Sequence, residues 1–89
     1  MKAIVTVVGK DKKGIIAKVS GFLADNNVNI LDISQTILQG MFCMIMLVEF
    51  RCAEEEIGVV SGKLTALGDE MGVSIHLQRE ELFESMHRI

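Results

Sequence analysis

Proline, tryptophan and tyrosine are absent from this 89-residue chain, and its four aromatic side chains are all phenylalanine. Without an aromatic series or an arginine cluster, and with a net charge of −3, the chain is a poor nucleic-acid binder. RNA-binding sheets stack bases on aromatics of their central strands, and Phe42 alone is not enough for that. Cysteine is scarce as well. Cys43 and Cys52 form no C-x-x-C pair and are too few for a disulfide framework, so both read as reduced thiols, Cys43 within the core. Long apolar runs are missing: Met41 to Val48 is of strand length, far short of the roughly 18 residues a membrane helix needs. The N-terminus starts like a secretory leader but meets Gly9-Lys10-Asp11-Lys12-Lys13 before an apolar region can form. A soluble, cytoplasmic protein that does not contact membranes is expected.

Catalytic constellations are equally sparse. No G-x-S-x-G, phosphate-binding loop or G-x-G-x-x-G occurs. His76 and His87 lack ligand spacing to a cysteine or carboxylate pair, and the first loop lacks the cysteines of ferredoxin-like metal carriers. Met44 and Met46 share a face and read as a core stripe better than as soft-metal ligands. The expectation is no enzyme, no metal and no cofactor.

What is present is aliphatic: nearly half the residues are hydrophobic. A domain this short buries only about 60–65% of its unfolded surface, so association is a natural supplement. Ala3 to Val8 is β-branched and apolar, a strand closed by Gly9. Ile15, Ile16, Val19, Phe22 and Leu23 recur at helical spacing, and Asn26-Asn27 ends that helix. Val28 to Ile37 or Leu38 reads as a strand whose apolar parity switches between Val28/Ile30 and Ile33/Ile37, which predicts a bulge near Leu31-Asp32. Gln39-Gly40 turns into Met41 to Phe50, apolar at almost every position and so expected to be a central strand buried on both faces. Ala53 to Gly72 carries Ile57, Val60, Leu64, Leu67 and Met71 on one helical stripe, opening on acidic residues. Val73, Ile75 and Leu77 alternate with polar residues as a last strand, with His76 on its exposed face, and a short C-terminal helix is expected over Glu80 to Ile89. The order βαββαβ predicts an α+β, ferredoxin-like sandwich spanning residues 1–89 as a single domain: a four-stranded antiparallel sheet with two helices on one face.

One segment has a physical reason to bind a ligand. Residues 1–18 carry five lysines against Asp11, a net +4, whereas the other four basic and eleven acidic residues give −7. In this basic region, Gly9-Lys10-Asp11-Lys12-Lys13-Gly14 leads into a helix whose first-turn N–H groups and dipole favour an anion. Asp11 could cap the helix, accept from a ligand ammonium, or do both. Anion donors beside an aspartate suit a zwitterion.

The stretch Gly9 to Ala17 followed by Asn26-Asn27-Val28-Asn29-Ile30-Leu31-Asp32-Ile33 resembles the D-x-x-G-[IL]…N-[VI]-x-[ID] signature of ACT domains. The closing Met86-His87-Arg88-Ile89 and the match along the whole chain look like stand-alone single-ACT proteins related to the glycine cleavage system transcriptional repressor. The resemblance implies regulatory binding of an amino acid at the junction of a side-by-side homodimer, with a regulated protein partner. Carried onto matching positions, it points to Asp11, Gly14, Ile15 and Ile16 from the loop and Asn29, Ile30 and Asp32 from the second strand. The alternative is a module that pairs without any ligand.

Overall fold

A computed structural model of the chain describes residues 2–10, 14–51 and 56–80. Its elements are β1 (Lys2–Lys10), α1 (Ile15–Asp25), β2 (Val28–Leu38), β3 (Met41–Phe50), α2 (Glu56–Met71) and β4 (Ser74–Arg79). The strands form one sheet in the order β2-β3-β1-β4, all neighbours antiparallel. This is the α+β, ferredoxin-like arrangement that the element order demands, with β2 and β4 as edges. The expected C-terminal helix and the acidic residues at 54–55 lie outside the described residues.

Strand alternation assigns the faces. Opposed residues on antiparallel strands share a face. The register Val7↔Met44↔Gln35 and Val5↔Met46↔Ile33 therefore puts Val5, Val7, Met44 and Met46 together under the helices. All four are fully buried, as are Ala3, Val48, Val19, Leu23 and Leu64. Removing each large aliphatic side chain from water is worth about 1.5–3 kcal/mol, which is where this small fold gains its stability. The helices meet that surface with the predicted stripes: Ile15, Val19 and Leu23 from α1, Val60 and Leu64 from α2, with Ile57, Leu67 and Met71 half-buried alongside.

Two glycines fix how α2 and β1 meet β4. At Gly9 an added Cβ would sit 2.5 Å from Val73 Cγ1, and at Gly68 it would sit 2.7 Å from the Val73 carbonyl oxygen. The Val73 amide also donates to the Gly68 carbonyl at 2.8 Å, so the end of α2 is tied to the start of β4 at backbone distance.

The expected bulge is present: the β2–β3 register shifts between Ile30 and Asp32. The Ile33 amide donates to the Asp32 carboxylate at 2.9 Å there, which holds the irregularity. The turn at Gln39 (φ 51) and Gly40 (φ 80) has two left-handed residues, matching a tight hairpin. One expectation is corrected. β3 is buried on the helix side only: Met41 and Ile45 on its other face are 39% and 43% exposed, and Cys43 is half-buried rather than a core residue. No described element lies across that side of the sheet, so apolar composition on both parities did not mean burial on both. His76 is exposed there as expected, within 3.0 Å of the Ser74 hydroxyl.

Candidate functional site

The entry to α1 is built on Gly14. Its φ of 84° is left-handed, which glycine adopts without the penalty a Cβ imposes. A Cβ there would meet nothing within 4 Å, so the requirement is backbone conformation, not space. Gly14 stands at the N-cap with no side-chain cap. Its carbonyl accepts the first helical bond from the Lys18 amide at 2.9 Å. That leaves the amides of Ile15, Ile16 and Ala17 as the donors a helix start offers. Lys10 and Lys18 are both exposed on the adjoining ends of β1 and α1, so the local potential favours an anion.

Side chains divide sharply at this point. Ile15 is 2% exposed and anchors the core, so only its backbone can face a ligand, whereas Ile16 is 38% exposed. Ile16 lines a cleft of about 450 Å³ together with Gln35, Thr36, Ile37 and Phe42. Phe42 is nearly buried and forms its closed side; Ile37 is 58% exposed.

The strand residues carried over from the sequence lie elsewhere. Asn29 lines a recess of about 290 Å³ with Ala24, Asn27, Val28 and Arg51. Ile30 is half-buried against the core, and the exposed Asp32 engages the Ile33 amide. At about 3.3 Å per residue, Asn29 and Ile37 stand roughly 26 Å apart along β2. Within one chain, then, Gly14, Ile15 and Ile16 do not meet Asn29, Ile30 and Asp32. Asp11 lies outside the described residues. Among the described residues, no three His, Cys, Asp or Glu side chains gather to hold a metal ion, and no helix is long and apolar enough to cross a membrane.

The geometry has close counterparts. The family model of the ACT domain matches residues 2–78. The chain belongs to the ACT-domain family. A UPF0237 protein of Bifidobacterium longum is 54% identical over 88 residues, covering 99% of this chain and 98% of its own. An ACT domain protein from Streptococcus pneumoniae superposes with a TM-score of 0.84 at 43% identity, over 94% of both chains. A protein assigned as a glycine cleavage system transcriptional repressor matches at TM-score 0.76 and 24% identity, over 88% of this chain and 44% of that one. That last likeness speaks to the fold. ACT domains are in general regulatory, amino-acid-binding modules, and this chain is similar to stand-alone members.

The ACT-type reading of the sequence missed Gln35 and Ile37 and passed over Phe42 as a lone aromatic. The parity switch at the bulge was the available signal. It places Ile33, Gln35 and Ile37 on the helix side of β2, opposite Met46, Met44 and Phe42, where α1 does not reach far enough to bury them.

Proposed function

We propose that this ACT domain senses an amino acid at the junction of two copies of itself and passes the change to a protein partner. The observation that carries this reading is the outer edge of β2. It is eleven residues long and lies at the sheet margin. It also leaves Leu31, Ile33 and Ile37 exposed by 42%, 41% and 58%, with Ile37 lining a cleft together with Ile16. Such an edge is a template for another strand. A two-fold axis at the middle of β2, near Ile33, pairs the strand antiparallel with its copy and brings Asn29 of the second copy opposite Ile37 of the first. That operation reunites the α1 entry with the start of β2, the two halves that one chain holds roughly 26 Å apart. First-turn amides take the carboxylate. An amino acid that binds one arrangement of the pair better than another shifts the population towards it.

Ligand-free pairing is the second reading, and one observation favours it: the Asp32 carboxylate already accepts from the Ile33 amide of its own chain. Thermal shift separates the two. At a hundredfold excess over Kd, a ligand adds about 2.7 kcal/mol, or about 10 °C or more for a domain of this size. A panel of twenty amino acids that leaves the melting temperature unmoved rules out sensing and leaves pairing alone.

A further inference from the structure

The geometry points to an amino acid with an apolar side chain, of leucine, isoleucine or phenylalanine type, as the class of ligand this site takes; the inference rests on the sensing role proposed above. The cleft beside the α1 entry is faced by Ile16, Ile37 and Phe42, with Gln35 and Thr36 as its polar members. Among the described residues, no charged side chain lines it. Its volume of about 450 Å³ falls in the lower part of the range for small-molecule sites, suited to a single amino acid. The sequence around the α1 entry is basic, with a net +4 over residues 1–18, and the described Lys10 and Lys18 are exposed. A ligand with its carboxylate at the amides of Ile15, Ile16 and Ala17 therefore projects its side chain among apolar groups, with its polar end in positive potential. Gln35, on the same face of β2 as Ile37, supplies an acceptor for the ammonium and a donor or acceptor for a bridging water.

Glycine or serine leaves that apolar lining in contact with water. A leucine-sized side chain removes it, and burying such a group strengthens binding by roughly ten- to a hundredfold over glycine. The exposed Ile37 and Ile16 explain why the cleft is open in one chain: it faces the edge that the second copy closes. A second copy thus tightens the same apolar enclosure and links ligand class to assembly.

The test is an NMR titration of the full chain with L-leucine, L-isoleucine, L-phenylalanine, glycine and L-serine. The apolar three are expected to bind at least tenfold tighter than the other two, with shifts at the amides of Ile16, Gln35 and Ile37. Ile37→Trp fills the cleft from an exposed position and is expected to weaken L-leucine at least tenfold, with the amide spectrum of the free protein showing the fold retained. Ile16→Ser is expected to weaken it independently. Tighter binding of glycine or serine, or L-leucine binding indifferent to both substitutions, overturns the ligand class while leaving amino-acid sensing in place. No binding of any of the five overturns the ligand class, and the twenty-member thermal-shift panel decides sensing itself.

Discussion

Helix α2 contains three glycines whose surroundings make opposite demands, and exchanging two of them for alanine tests the packing directly. Gly62 faces open space: a Cβ there meets nothing within 4 Å. In a helix interior alanine is favoured over glycine by about 0.8–1 kcal/mol, so Gly62→Ala is expected to stabilise by nearly that amount. Gly68 sits about one and two-thirds turns on, against the β4 entry. There the new methyl group lands 2.7 Å from the Val73 carbonyl oxygen and 3.1 Å from Ile75 Cγ1. The first contact is backbone and cannot swing aside. Forcing α2 away costs about 1–3 kcal/mol in overpacking. It also strains the bond from the Val73 amide to the Gly68 carbonyl, worth about 0.5–1.5 kcal/mol. Offsetting the same helix-propensity gain, the net loss is about 1–3 kcal/mol. Urea titration at fixed protein concentration reads both: the midpoint rises for Gly62→Ala and falls for Gly68→Ala. Equal shifts in the same direction would refute the close approach of α2 to β4.

Gly14→Ala is expected to cost about 1–2 kcal/mol, because φ 84° is strained for any residue with a Cβ; differential scanning calorimetry checks this, and a neutral result contradicts the left-handed entry to α1. Leu64→Ala removes a fully buried side chain from the core side of α2 and is expected to cost about 2–5 kcal/mol, read as a lowered urea midpoint.

The architecture was legible in the sequence because most elements bury one face. The helical spacing of Val19 and Leu23, and the alternation of Ile75 with His76, carry the face in the pattern itself. The bulge was legible for the same reason: Val28 and Ile30 disagree in parity with Ile33 and Ile37, and an extra residue reconciles them. β3 offered no such contrast. With Met41, Cys43 and Ile45 as apolar as Phe42, Met44 and Met46, composition could not show which parity faced the helices and which lay uncovered. The candidate site was half legible. A loop motif marks where a chain enters a helix, and Gly14 is there with the required φ. The cleft next to it joins Ile16 to Gln35, Ile37 and Phe42 across two strands and a hairpin. That juxtaposition depends on where α1 stops covering the sheet, which no local spacing records. Nor does linear order reveal that Ile16 of α1 lies beside the opposite end of β2 from Asn29.

Two copies meeting along β2 is the claim on which sensing at a shared site depends, and sedimentation velocity of the wild-type chain beside Ile33→Lys tests it most directly. Ile33 is 41% exposed on the edge strand, and a lysine there blocks strand addition while disturbing the fold little. The account predicts that the wild-type chain sediments at twice its 9.8 kDa mass and the variant at the single-chain mass. A wild-type chain that sediments as a monomer across the concentration range, or a variant that pairs as well as the wild type, contradicts it.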